Sequence, residues 1–587
     1  MYTRLIKRKT VYFTIVLLMM LVLVCASGCI PDGKLDDWQE QAPAETEGGW
    51  FQGAAKHGSP QPTAAPSAPS ISSSPSPSFS AAESDSIGLA VGGAKDINNF
   101  RENINNNYLP IPTDVTYEGL FYDYYFDTGD SGDCDKLFCP SYSFAITEDP
   151  FSGEEQYYLS VGLNSGLKES DFQRKKLNLV IVLDISGSMT SAFNEYYYDN
   201  FGNKVVIDET GRDNRKSKIE IATESVVALL DHLQDDDRFG MVLYNDSAYL
   251  AKPMNPVGNT DMEAIKDHIL EIAAGGGTRM SAGMQMATEM YRELENIDRS
   301  EYENRIIFLT DAMPNLGLTG EDDLLDITEG NAAGGIYTTF IGIGVDFNTE
   351  LVEYITKIKG ANYYSVHSAG QFRERMDDEF EYMVTPLVFD LRLTLDASGW
   401  EIEKVYGSPE ANESTGELMK VNTLFPSSRK EGETRGGLIL LKLRKTAPDN
   451  TLNLRVSYED RNGRSDTAIT TVKLQYISPE YFGNTGIRKG ILLARYADLL
   501  KNWIIDEHEH AHLSMTWKPA VDSEYGIIVP PSDDFYLGRW ERQSLPLMVS
   551  GPYRELFGEF SGYFAEEMSA LNDDTLGQEL DILRKLS

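Results

Sequence analysis

Residues 177–188 read LNLVIVLDISGS. Leu177, Leu179, Val180, Ile181, Val182 and Leu183 form a near-continuous apolar run of strand length, which suits a parallel strand buried on both faces rather than one with a wet face. The run ends in Asp184, Ser186 and Ser188. A carboxylate and two hydroxyls at alternate positions, in a tight loop supplied by Gly187, can turn toward one point at the strand's carboxyl end, which is where open α/β sheets bind ligands. Hydroxyls are neutral oxygen ligands. A hard divalent ion such as Mg2+ held there keeps positive character and an appetite for one more anionic oxygen.

Two later stretches supply further oxygen ligands. Thr278 follows Gly275, Gly276 and Gly277 ahead of a helical pattern at 281–294, and Asp311 closes a second buried strand, RIIFLT at 305–310, before Ala312, Met313, Pro314 and Asn315. Taken singly, Ser and Asp at such places are ordinary loop and capping residues. Asp-x-Ser-x-Ser, then Thr after a glycine run, then Asp after a second strand resembles the metal-ion-dependent adhesion site of von Willebrand factor type A (vWA) domains. The resemblance implies that Ser186, Ser188 and Thr278 bind the ion, that Asp184 and Asp311 act directly or through water, and that an acidic side chain of a protein partner completes the shell. Mg2+ is the expected cation, with Mn2+ or Ca2+ as alternatives.

Strands alternate with helical patterns from 171 to 385, which predicts a doubly wound parallel sheet. Ser217 with Glu220 makes a capping box, followed by the apolar stripe Ile219, Ala222, Val226, Leu229, Leu230 and Leu233. Between the metal loop and that helix, residues 190–216 intervene, with Tyr196, Tyr197 and Tyr198 before a turn-like Phe201, Gly202, Asn203. They read as an aromatic hairpin, either a partner-specific flap or a tolerated surface insertion. After Pro386 the period changes to two: Leu387, Phe389, Leu391, Leu393 and Leu395 alternate with mostly polar residues, and Asn462-Gly463 supplies a hairpin turn. Residues 386–478 therefore read as an antiparallel β-sandwich of four or five strands, too few for two sheets. The hairpin expected within 136–170 could complete it, which makes the vWA region an insertion. Short helices are expected at 94–135 and a mainly helical region at 479–587.

The N-terminus reads as an export signal. Arg4, Lys7, Arg8 and Lys9 precede an apolar run at 11–24, too short to span a bilayer comfortably, and Ala26, Ser27, Gly28 and Cys29 follow. This resembles the lipobox of prokaryotic lipoproteins, with Ala26 where Leu is usual. It implies cleavage after residue 28, lipid on Cys29 and attachment to the exported side of the cell membrane; simple cleavage and an uncleaved anchor are the alternatives. Residues 29–93, rich in Pro and Ser, are expected to be a disordered tether. Cys134 and Cys139 are the pair left in an exported chain, which suits a small-loop disulfide, with a metal or redox pair as the alternative. A formal net charge of -39 argues against nucleic-acid binding, which needs Lys and Arg against phosphate.

One motif points to an enzyme. His508, Glu509 and His512 match His-Glu-x-x-His, which on a helix places two zinc ligands on one face with a Glu base. Asp506, Glu507 and His510 make that stretch a polar helix end, and Glu524 or Glu541 would have to act as third ligand. The expectation is therefore a binding protein with no catalytic residues, and a zinc-dependent peptidase is the alternative.

Overall fold

The computed structural model describes residues 86–93, 98–129, 136–192, 216–292, 294, 301–311, 320–343, 357–366, 380–396, 399–408, 411–412, 418–447, 451–473, 480–515 and 545–587. A six-stranded sheet runs in the order Asn362–Val366, Ile336–Ile343, Tyr302–Thr310, Lys176–Asp184, Arg238–Tyr244, Ala248–Pro256. Neighbours are parallel except the last pair. The central strand accounts for its own apolar sequence. Leu177, Leu179, Ile181 and Leu183 enter one core with Ile219, Ala222 and Val226 of the helix Lys218–Leu230. Val180 and Val182 enter a second core with Met284 and Ala287 of the helix Met280–Arg292. Both faces are covered, which accounts for the apolar residues, and the one polar residue, Asn178, is paired with Asn304 at 2.9 Å. Leu183 registers with Leu309 on one side and Leu243 on the other, so the chain leaves adjacent strands at Asp184 and Asp311 at the same edge.

A second architecture is a pair of mainly antiparallel sheets. One has the order Ser465–Lys473, Thr451–Asp460, Val388–Asp396, Leu418–Ser427, Ser86–Val91, Asn164–Lys168, with Ala411–Asn412 on the side. The other runs Trp400–Tyr406, Leu438–Lys445, Glu155–Gly162, Ser141–Glu148, Tyr481–Phe482. The hairpin preceding the six-stranded sheet thus pairs with a strand following it: Val161 faces Ile439 and Leu159 faces Leu441. Leu159 and Val161 share a core with Leu391, Leu393, Leu441 and Leu454.

The tether expected over 29–93 needs correction at its end. Ser86–Val91 is an interior strand between Leu418–Ser427 and Asn164–Lys168. Its side chains alternate in destination: Ile87, Leu89 and Val91 enter the sandwich core, while Ala90 enters the core of the six-stranded sheet. The earlier tether residues lie outside the described ones, as do the signal segment, Cys29, Cys134 and the aromatic part of the 190–216 insertion. Both ends of that insertion are described: Ala192 bridges to Ser217, beside the loop that follows Asp184.

The segments expected at 94–135 and 479–587 share one core. Phe100 and Ile104 of the helix Asn98–Asn105, with Leu120 and Phe121 of Tyr117–Tyr122, pack among Ile487, Tyr496 and Trp503 of Thr485–Met515 and Phe557, Phe564 and Leu583 beyond. A buried ionic clasp joins the two ends. Arg101 donates to Asp123 at 2.7 Å and to Glu579, which also accepts from the Tyr124 hydroxyl at 2.7 Å. No helix among the described residues is long and apolar enough to cross a membrane.

Candidate functional site

The Lys176–Asp184 strand delivers Asp184 into a short 3-10 turn, Gly187–Thr190. The Ser186 amide donates to Asp184 Oδ1 at 2.8 Å, which folds the loop back on the carboxylate, and the Ser186 and Ser188 hydroxyl oxygens stand 3.0 Å apart. The glycine run is tied to this loop by its backbone. Gly187 N donates to Gly276 O at 2.8 Å, and Gly275 N donates to Ile185 O at 2.7 Å. Gly276 has φ +96 and a Cβ there would meet Asp246 Oδ2 at 2.7 Å, so glycine is what permits the close approach. Thr278, two residues on, is buried. Asp184, Ser186, Ser188, Thr278 and Asp311 are all under 8 % exposed.

The two carboxylates differ in their company. Asp184 Oδ2 accepts from the Tyr244 hydroxyl and the Thr310 hydroxyl, each at 2.9 Å. Burial, then the charge of Asp311, pushes the Asp184 carboxyl up to about 7. Asp311 Oδ2 accepts from Lys218 Nζ at 3.1 Å, both side chains being fully buried. Asp311 Oδ1 is buried without a hydrogen-bond partner. A buried carboxylate oxygen with no donor is costly unless something positive meets it. Two carboxylates and three hydroxyls form a hard oxygen donor set, which fits Mg2+, Mn2+ or Ca2+ better than a soft metal. Among the described residues no group of three or more His, Cys, Asp or Glu side chains could hold a metal.

Sequence reasoning missed Lys218, Tyr244 and Thr310. Tyr244 and Thr310 are strand residues next to Asp184 and Asp311, indistinguishable in sequence from packing residues. Lys218 did carry a signal. A cation in the first helical position opposes the helix dipole, so a lysine there calls for an anion nearby.

The His-Glu-x-x-His stretch lies in the helix Thr485–Met515 and makes structural contacts. His508 Nε2 is 2.7 Å from the Pro110 carbonyl oxygen, and Glu507 accepts from the backbone N–H of Ser550 at 2.7 Å, just ahead of the helix Gly551–Leu571. Asp506 accepts from the Tyr553 hydroxyl. Glu509 is exposed. These contacts join the C-terminal helices to each other and to the segment before Thr116, and they give no support to the peptidase alternative. Glu524, Glu541 and the His512 side chain lie outside the described residues.

Residues 178–378 match the family model of the von Willebrand factor type A domain. The chain is 23% identical over 230 residues to inter-alpha-trypsin inhibitor heavy chain H4 of Sus scrofa, a match covering 36% of this chain and 24% of that protein. It therefore spans about a quarter of the length of the curated relative it matches. Among solved structures, a von Willebrand factor type A protein from Catenulispora acidiphila is 15% identical, with TM-score 0.38, covering 64% of this chain and 82% of the other. Proximal thread matrix protein 1 from the mussel byssus, with a zinc-occupied MIDAS motif, is 17% identical with TM-score 0.27, covering 37% of this chain and 49% of the other.

Proposed function

We propose, from the premise that residues 178–378 are a vWA domain, that this chain is a lipid-anchored binding protein of the exported side of the cell membrane, which recognises a protein partner through a divalent cation. Interaction with other proteins is what vWA domains generally do, and they are typically not enzymes. The observation that carries the metal reading is the convergence of Asp184, Ser186 and Ser188 with Asp311, whose Oδ1 is buried and accepts no hydrogen bond. Ser186, Ser188 and Thr278 would hold Mg2+ through hydroxyls, with Asp184 and Asp311 directly or through water. The ion when bound supplies a Lewis-acidic position that a partner's Asp or Glu can fill. What the chain itself contributes is orientation: the Ser186 amide, the Tyr244 hydroxyl and the Thr310 hydroxyl fix the Asp184 carboxylate, and the tie between Gly187 and Gly276 fixes the loops.

The anchor at Cys29 and the pairing of Cys134 with Cys139 belong to the same proposal. Cys139 is buried and disulfide-bonded, which supports a small closed loop ahead of the strand Ser141–Glu148. Titration calorimetry with Mg2+, Mn2+ and Ca2+ tests the site, using wild type and the paired Ser186→Ala, Ser188→Ala change. Wild type should bind and the double variant should not. Affinity capture from native membranes in Mg2+ against EDTA should then retain a partner only with the ion. Equal calorimetric binding by both proteins would place the ion elsewhere.

A further inference from the structure

Lys218 opens the helix Lys218–Leu230, where the dipole disfavours a cation, yet its side chain is fully buried. The backbone fixes its place: Lys218 N donates to Ser191 O at 3.0 Å, and Ala192 bridges to Ser217. A fully buried ammonium is costly unless an anion lies beside it. Among the described residues Asp311 supplies such an anion, at 3.1 Å. The ammonium occupies Oδ2, while Oδ1 of the same carboxylate accepts no hydrogen bond.

Resting on the metal-site reading above, we propose that Lys218 is a built-in counter-cation that tunes this site: it neutralises Asp311 in the ion-free protein and holds the intrinsic affinity for divalent cations low. Asp184 and Asp311 carry two negative charges when both are ionised; Lys218 offsets one of them. With both carboxylates ionised, an ion entering the site meets a net charge of minus one rather than minus two and is repelled by an ammonium bonded to one of its own ligands. The fold consequently does not depend on the ion. A partner carboxylate returns the missing negative charge, so ion and acidic partner bind with positive cooperativity, each raising the other's affinity by the same factor. Lys218 is thus a positioning and charge-setting residue, acting through Asp311.

The test uses the full chain with Lys218→Met, which keeps the aliphatic stem, and Lys218→Arg, which keeps the charge. Melting in EDTA and in Mg2+ is combined with Mg2+ calorimetry. Breaking one side of a buried pair should lower the melting temperature of Lys218→Met in EDTA by about 5 °C or more. Mg2+ should restore more of that loss than it adds to wild type, and Mg2+ should bind the Met variant tighter, by on the order of 10-fold. Lys218→Arg should follow wild type. Unchanged or weaker Mg2+ affinity in Lys218→Met overturns the role of Lys218 while leaving the metal site standing. A Met variant unfolded in both EDTA and Mg2+ overturns it too, because the ion should replace the lost charge. A wild-type chain that binds none of the three cations defeats the metal-site reading and this inference together.

Discussion

Asp184→Ala should abolish ion binding, while its effect on folding should be small near pH 8 and should depend on pH. The Asp184 carboxyl rises from its ordinary 3.8 to about 7, through burial first and the nearby Asp311 charge second. Between those values the folded chain holds a proton that the unfolded chain has released, so stability of the ion-free protein falls as pH rises through that window. Above it the ionised carboxylate costs the folded state on the order of 4 kcal/mol, at 1.36 kcal/mol per pKa unit. Removing the side chain relieves that cost but takes away the acceptor shared by the Tyr244 and Thr310 hydroxyls, 0% and 1% exposed. A buried donor left without its acceptor costs about 1–3 kcal/mol. In EDTA at pH 8 the two effects nearly cancel and the melting temperature should move by only a few degrees. At pH 5 folded wild-type Asp184 is protonated and the relief falls to about 1.6 kcal/mol, about 1.2 pH units above 3.8 at 1.36 kcal/mol each, so relative to wild type the variant should lose about 2–3 kcal/mol more at pH 5 than at pH 8. Mg2+ at 100 times its dissociation constant adds about 2.7 kcal/mol to wild type and nothing to the variant. The wild-type gain should shrink below pH 7, since binding must displace the proton. Melting curves at both pH values, with EDTA and with Mg2+, read all four quantities. Equal Mg2+ stabilisation of the two proteins, or a variant penalty independent of pH, would refute the reasoning.

Three further outcomes are expected. Cys29→Ser, or globomycin treatment of the wild type, should leave an unlipidated or uncleaved precursor; palmitate label persisting on Cys29→Ser counts against the anchor. Non-reducing peptide mapping should find Cys134 linked to Cys139, and free thiols at both would defeat the pairing. Residues 171–385 expressed alone should fold but melt below the full chain, because Gly360 N donates to Thr423 Oγ1 at 2.8 Å, Tyr363 N to Gly93 O at 3.0 Å, and the buried Arg305 guanidinium lies 5.8 Å from the Phe425 ring centroid; equal melting would show that these contacts contribute nothing.

How much could be read from the residues depended on whether their reasons were local. The 177–183 run is buried by its own sheet and two helices on either side, and an apolar stretch of strand length announces that without knowledge of any partner. Ser86–Val91 gives no such notice. It follows a long Pro/Ser-rich stretch, contains Gly88, and owes its place to Leu418–Ser427, more than three hundred residues away. The strand Leu418–Ser427 was itself obscure, since it includes Asn422, Thr423 and Pro426 and is followed by Ser and Arg rather than a turn signal. Its polar residues have tertiary partners: Thr423 caps Gly360, and Asn422 donates to the Lys357 carbonyl. Period-two patterning missed these two strands, whose second face meets the part of the chain that carries the six-stranded sheet.

The candidate site divides along the same line. Asp184, Ser186 and Ser188 sit within five residues, so a spacing motif captures them, and Thr278 and Asp311 follow from a glycine run and a strand end. What a motif cannot express is the electrostatic setting. Lys218 lies 30 residues from Ser188 in sequence, across the 190–216 insertion, and meets Asp311 from a helix start that backbone bonds to Ser191 and Ala192 hold against the metal loop. The insertion therefore departs from, and returns to, paired residues, Ala192 and Ser217, next to Ser191 and Lys218. With Ala192 and Ser217 paired, Ser217 caps the helix through Glu220 and Lys218 reaches Asp311. Pinning the two ends of the insertion to each other accounts for how Lys218 keeps its place against Asp311 although residues 190–216 separate its helix from Ser188.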